Sequence, residues 1–581
     1  MSQIDPTQIL DDLPKRRLAA LASELGLGAP SRATKADLVR TLLAADTARL
    51  TKVVWGEPVQ DDVQHFLCNA DAARPIGDLE PRPRGGPEPG NPVVLERISE
   101  LSESLRARTT DGHRKKWGQF LTPSEVALFM AGLVDPPAEC CVRVLDPGAG
   151  TGILGVAMAQ RILDHGAQAV HLFAVEQEPK ARAVLNDALE AARAELGDGF
   201  TFEVSGDDVL GLAEPELGRR SLEPFDIVIA NPPYYKMPPS ELRGGSSPNI
   251  YTRFMEVGSR LLRAGGQMCF IIPRSFASGL YFRPFRRDFH TRMTLERVHV
   301  FDSRRETFKG DGVLQENIVV RYSKSAPNGG EVVISSSAGS SDTDGAPEVR
   351  VPLGKVIDVR DRTAVLSLPV SDEDLQLMDL LAGWGNRLAD IGLEISTGPV
   401  VPFRAESVLK SSSDGGANVP LLWMQHVRRE GVVFPLPGGF RKPEYISGDA
   451  PEKLLVPNQT YVLLRRFSAK EEARRLTAAV YLAGQVPGAN LGLENHLNFI
   501  HRPGGEVSVE EARGLAALLN SRLLDRYFRI SNGNTQVNAT EIRAMPLPAL
   551  EAIRRIGARV GEDQAEAAVS NAMQEVLGVE G

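Results

Sequence analysis

From residue 142 to 323 the chain alternates short apolar runs with helical stripes, and few folds accommodate that order. Strands are predicted at Val142–Leu145, Val170–Val175, Phe200–Val204, 225–230, Met268–Ile272, Arg297–Phe301 and Asn317–Tyr322. Between them, helices are predicted through Leu154, Val156, Ala157 and Ile162, over Ala181–Leu196, and over Phe254–Leu262. Repeated β-α alternation predicts an α/β fold with a doubly wound, mostly parallel, Rossmann-like sheet.

Two strand ends in this region carry chemistry. The first runs into Asp146-Pro147-Gly148-Ala149-Gly150-Thr151-Gly152, a small-residue turn that opens a helix. Backbone there can approach a ligand closely. Glu176 ends the next strand, where a carboxylate can accept hydrogen bonds from ribose hydroxyls. Nicotinamide, flavin and S-adenosylmethionine sites share such turns. The second is Asn231-Pro232-Pro233-Tyr234, after the apolar run Phe225–Ala230. It offers an amide oxygen, a stiffened turn with free carbonyls and an aromatic face, a set suited to a flat ring bearing an amino group. It also lies at the carboxyl end of a strand, where ligands bind in such sheets.

With 581 residues the chain has room for three or four domains. No run of eighteen apolar residues occurs, so no membrane span or membrane partner is expected. Cys68, Cys140, Cys141 and Cys269 show no CxxC spacing and no histidine cluster, which predicts no metal site and a reduced, cytoplasmic setting. The net charge of −9 argues against a nucleic-acid partner on its face. Local clusters argue the other way: Arg283, Arg286, Arg287, Arg292, Arg297, Arg304, Arg305 and Lys309 against Asp288, Glu296, Asp302 and Glu306 in 281–310, His113-Arg114-Lys115-Lys116, and Arg465, Arg466, Lys470, Arg474 and Arg475.

GQFLTP, DPGAGTG, Glu176, an aspartate near 208 and NPPY, in that order, resemble the gamma-class N6-adenine DNA methyltransferases of type II restriction–modification systems, TaqI-like in the catalytic domain. The resemblance covers about 110–325. It implies a class I methyltransferase domain that uses S-adenosylmethionine, with Thr122, Asp146, Pro147, Gly148, Gly150 and Glu176 on the cofactor. Asp208 is implied on the adenine amino group of the cofactor, with Asp207 as the alternative. Asn231, Pro232 and Tyr234 are implied as the catalytic set, acting on an adenine flipped out of double-stranded DNA, and Tyr234 and Phe308 as the rings that stack on it. Residues 235–250 form a Gly/Ser/Pro-rich loop expected to close over the flipped base or the DNA backbone.

Domain boundaries follow composition. Residues 1–50 carry helical stripes at Leu18, Leu21 and Leu25 and again at Leu38, Val39, Leu42 and Leu43, and resemble SAP or Rho-N-type modules that bind nucleic acid. Residues 51–100 are read as a linker, 101–325 as the methyltransferase domain and 326–365, with its serine-rich run 335–341, as a second linker. Residues 366–550 are read as an α+β target-recognition domain, and 551–581 as a C-terminal helix. "LLRRFSAKEEARRL", "LENHLNFI" and "YFRISNGNTQVNATEIRAMPLP" resemble PstI-like target-recognition segments. Arg465 and Arg466 suit phosphates or guanine, and Asn532, Asn534, Gln536 and Asn538 suit adenine edges. Ile395-Ser396-Thr397-Gly398 is a further candidate backbone contact.

Three other readings compete: an RNA or protein-glutamine methyltransferase using the same NPPY chemistry, a fused nuclease–methylase, and a DNA-binding protein with an inactive methylase domain. RNA and glutamine enzymes of this kind are generally shorter. No PD…(D/E)xK pattern occurs in 1–110, so any restriction endonuclease is expected to be separately encoded. The intact Asp146, Glu176, Asn231 and Tyr234 speak against an inactive domain. The chain is expected to act as a monomer.

Overall fold

The computed structural model describes residues 93–110, 122–212, 222–237, 249–302, 316–326, 329–357, 364–438, 440–468, 472–533, 536–561 and 565–579. The N-terminal module, residues 118–121 of GQFLTP, most of the 235–250 loop, Phe308 and Asn534 lie outside them.

One nine-stranded sheet organises the catalytic half. Its strands are β1 (Cys141–Asp146), β2 (Ala169–Val175), β3 (Phe200–Ser205), β4 (Phe225–Ala230), β5 (Leu262–Pro273), β6 (Thr294–Phe301), β7 (Asn317–Ser323), β8 (Glu331–Ser337) and β9 (Glu348–Pro352). They lie in the order β3-β2-β1-β4-β5-β7-β6-β8-β9. β1 pairs in parallel with both β2 and β4, and β7 runs antiparallel between β5 and β6. The chain winds outward from β1 to β3, then returns to place β4 beside β1. That reversal opens a crevice at the carboxyl ends of β1 and β4, where Asp146 and Asn231 stand. β4 is buried along its whole length, as its unbroken apolar run predicts for a central parallel strand.

Both faces of the sheet are covered. Helices Val93–Ala107, Ser124–Leu133, Ile153–Asp164 and Pro179–Leu196 pack on one core layer, and helix Ile250–Leu261 contributes to the other.

Two expectations need correction. The 326–365 stretch is not a linker, because β8 and β9 extend the sheet. The serine run misleads by composition: Ser335 and Ser337 alternate inward and hydrogen-bond the two ring nitrogens of buried His299 on β6, at 2.8 and 3.0 Å. Burial pushes His299 down to about 4, so its imidazole is neutral and needs such partners. The chain end is not one helix. Leu550–Val560 stops at Gly561, whose φ of 60° suits glycine, and Glu566–Leu577 follows. Ile553, Ile556, Val560, Val569 and Met573 join one core with helix Val509–Asn520.

The C-terminal half is α+β, with a four-stranded and a five-stranded sheet. It meets the catalytic sheet at Arg274, just after β5. The Arg274 guanidinium donates to the Arg529 carbonyl at 2.7 Å and pairs with Glu316, and Gly533 leaves it room.

Candidate active site

Asp146 ends β1 almost fully buried. Its Oδ1 lies 3.4 Å from the Gly148 N–H, and its Oδ2 has no hydrogen-bond partner among the described residues. Burial pushes its carboxyl up to about 7, and neighbouring Glu176 adds to the shift. The turn that follows reaches positive φ at Gly150 (56°) and Gly152 (90°), which glycine adopts without a Cβ penalty. Gly148 has a different reason to be small: a Cβ there would sit 3.2 Å from the Phe254 ring.

Glu176 closes the turn from β2. Its two oxygens accept from the Gly150 N–H (2.9 Å) and the Glu178 N–H (2.8 Å). Burial nonetheless pushes it up to about 7. Arg182 braces the same strand end by donating to the Glu176 carbonyl at 3.0 Å, and Gly206 makes way for that guanidinium. Sequence reading missed Arg182; a glycine at 206 just beyond β3 was the available signal. Asp208 is exposed and caps its own turn, accepting from the Leu210 N–H at 3.0 Å. Asp207 is equally exposed and accepts from the Ser205 hydroxyl at 2.9 Å, so both acids stand at the rim of the crevice.

Across the crevice the Asn231 side chain is fixed at both ends. Its amide nitrogen donates to Thr122 Oγ1 at 3.0 Å, and its oxygen accepts from the Tyr234 hydroxyl at 2.8 Å. That hydroxyl also lies 3.0 Å from the Ile271 carbonyl on β5. Burial raises the Tyr234 phenol well above its ordinary value, which keeps it a donor. Its ring packs edge-on to Tyr251, with centroids 6.2 Å apart. Thr122, expected on the cofactor, thus stands against the Asn231 amide, and the pair sets which atom of that amide points where. Pro147 and Pro232 are buried beside these residues.

The proposed DNA contacts fare differently. Asn532 is buried, and its amide donates to the Gln536 carbonyl (3.2 Å) and the Glu541 carboxylate (2.8 Å). Asn538 caps helix Ala539–Ala544 in a reciprocal box with Glu541. Both amides thus take part in local structure, Asn532 from a buried position and Asn538 from a half-buried one. Arg465 and Arg466 are half-buried and donate to the Val427 and Asn495 carbonyls at 2.7 and 3.1 Å. Gln536 is half-buried and bridges the backbone of Phe467. Of the basic run after 281, Arg286 is fully buried and ties together the Phe276, Gly279 and Ala364 carbonyls, while Arg287 is exposed and Arg283, Arg292 and Arg297 are half-buried.

Residues 96–243 match the N-6 DNA methylase family, and 198–308 match the Eco57I restriction-modification methylases. The type II methyltransferase M.PstI of Providencia stuartii is 31% identical over 480 residues, 81% of this chain and 93% of that protein. M.BsuBI of Bacillus subtilis is 34% identical over 470 residues, 78% of this chain and 91% of that protein. The chain belongs to the type II DNA methyltransferases. It is an adenine-specific DNA methyltransferase of the restriction–modification kind. A tRNA1(Val) (adenine(37)-N6)-methyltransferase of Serratia proteamaculans is 26% identical over 173 residues, covering 29% of this chain and 60% of that enzyme.

Proposed function

We propose that this methyltransferase moves the methyl group of S-adenosylmethionine to N6 of an adenine flipped out of double-stranded DNA, protecting host DNA from a separately encoded endonuclease. The observation that carries the site assignment is the Asn231 amide, clamped by Thr122 and Tyr234 at the end of β4, the strand beside the one that ends in Asp146.

The residues present fit the cofactor. A buried carboxylate oxygen without a partner, Asp146 Oδ2, suits a cationic group, and Glu176 has lone pairs left for ribose hydroxyls. Thr122, Pro147, Gly148 and Gly150 line the same crevice, and Asp208, or Asp207, is available to the adenine amino group. Bound there, S-adenosylmethionine supplies an electrophilic methyl on a sulfonium.

The rest falls to the chain. Exocyclic N6 is a poor nucleophile because its lone pair is delocalised into the ring. The Asn231 oxygen and the Pro232 carbonyl each accept one N–H, which favours a tetrahedral nitrogen whose lone pair points at the methyl. With the methyl supplied by the cofactor, Asn231 and Pro232 would hold the amino group while its surplus proton leaves to solvent. Positioning and electrostatics are the main contributions. Removing the adenine from the stack costs a few kcal/mol, against which stacking on Tyr234, and on Phe308, returns roughly 1–3 kcal/mol per ring.

The type II relatives match along most of the chain and the tRNA enzyme along less than a third, which favours DNA as the substrate. Monomeric action and a cytoplasmic setting belong to the same proposal; no helix among the described residues is long and apolar enough to cross a membrane. Tritiated cofactor offered with DNA, RNA and protein in parallel tests the assignment. Label is expected in DNA alone, and Asn231→Ala should abolish it; label in RNA or protein instead, or normal activity in that variant, would refute the reading.

A further inference from the structure

Beside the Asn231–Tyr234 tetrad, two segments hold exposed hydrophobic side chains in place. The turn Leu280–Phe282 exposes Leu280 by 47% and Tyr281 by 68%, while Phe282 is buried. Phe282 packs on Phe276 and Tyr251, and Tyr251 meets the Tyr234 ring. Buried Arg286 fixes the start of the turn through the Gly279 carbonyl at 2.9 Å. An aromatic chain therefore runs from the tetrad to this turn and anchors it, so Tyr281 projects from rigid backbone. The second segment is the continuation of the tetrad itself. Lys236 pairs its backbone with Asn249, and Met237 turns inward and is buried. The Lys236 ammonium lies 4.8 Å from the centre of the Tyr281 ring.

An exposed aromatic ring with a cation at its face adds little to folding, since a tyrosine stabilises mainly through burial and this one is mostly in water. Ring plus cation is, however, the combination that holds bases by stacking and the adjoining backbone by charge. Its position matters as much. When an adenine leaves the duplex for Asn231, the bases left behind lose a stacking partner at the rim of this site.

We propose that Tyr281, with Lys236 at its ring, is a stacking platform for the bases left next to the flipped adenine. This rests on the assignment of Asn231–Tyr234 as the site of transfer. The platform stabilises the opened duplex without touching the reacting atoms. Lys236 holds the ring and adds positive charge against the backbone phosphates. Any base can stack, so the contact is sequence-tolerant and leaves target choice to other residues.

The test uses the full chain and a duplex carrying the motif that long-read sequencing reports as methylated in cells expressing it. In one duplex the target adenine is replaced by 2-aminopurine, whose fluorescence rises when it leaves the stack. In a second the base opposite the target is absent. Tyr281→Ala is expected to weaken binding of the intact duplex about tenfold and to lower the fluorescence, whereas Tyr281→Phe keeps both. On the duplex lacking the opposite base the alanine variant should lose less than about threefold, because less stacking has to be broken. Unchanged affinity and fluorescence in Tyr281→Ala, or an equal loss on the two duplexes, overturns the proposal. Asn231→Ala separates the two claims: it should abolish methyl transfer, and Tyr281→Ala should weaken duplex binding by the same factor in its background. Normal transfer by that variant would sink the catalytic assignment while leaving the Tyr281 binding result readable.

Discussion

Lowering the pH should weaken cofactor binding in a way the two crevice carboxyls dictate. Burial pushes Asp146 and Glu176 up to about 7, each towards the neutral form. A cationic ligand against the orphaned Asp146 oxygen requires that carboxyl ionised. Glu176 has the same preference, because both its oxygens already face N–H donors and neither can carry a proton without opposing one. At about pH 6 roughly one carboxyl in ten of each kind is ionised, so the dissociation constant should rise about tenfold from its plateau near pH 8 if one group must deprotonate, and towards a hundredfold if both must. The sign for folding is the opposite. A carboxyl whose folded value is raised favours the folded state below the ordinary carboxylate range, and this contribution is lost as pH rises through about 7. The cofactor-free protein should therefore lose stability over the interval in which affinity for the cofactor grows. Calorimetric titration of S-adenosylmethionine in buffers of different ionisation enthalpy measures both the affinity and the protons released. Asp146→Asn should weaken binding near pH 8 and flatten the pH slope. An affinity independent of pH between about 6 and 8, or one that strengthens on acidification, would refute the reasoning.

Three further outcomes follow from the geometry. Thr122→Val keeps the shape but removes the acceptor for the Asn231 amide; single-turnover transfer should slow about five- to tenfold, the value of one neutral hydrogen bond, with little change in DNA affinity. Tyr234→Phe removes the hydroxyl that donates to Asn231 and keeps the stacking ring, so kcat should fall about as much while Kd for the duplex stays put, measured by transfer assay and anisotropy. Gly533→Ala would place a Cβ 2.4 Å from Arg274 at the seam between the catalytic sheet and the C-terminal half, and urea denaturation should show a loss of about 1–3 kcal/mol.

How much was legible in the sequence depended on the range of the interaction. Strand, glycine turn and helix around Asp146 could be read because periodicity and turn chemistry act over a few residues. β4 read correctly because a strand buried on both faces needs an unbroken apolar run. The serine strand β8 did not read, since its partner His299 lies 36 and 38 residues away. The asparagines at 532 and 538 were open to two readings until Glu541 folded back onto both. An amide suits an adenine edge and a helix cap equally well, and burial, which applies to Asn532 and not to Asn538, is not written in the local sequence. Arg286 looked like surface charge because composition carries no information about facing.

The sequence by itself determined the chemistry on offer: a carboxylate after a strand, a glycine turn, and an asparagine stiffened by two prolines beside a tyrosine. These are local arrangements of covalently neighbouring groups. Only the tertiary structure decided how the groups face one another. Thr122 meets Asn231 across 109 positions of chain, and Asn231 stands near Asp146 because β4 returns to lie beside β1. That return is a property of the sheet order, which no single segment encodes, and it is what turns two separate strand ends into one crevice.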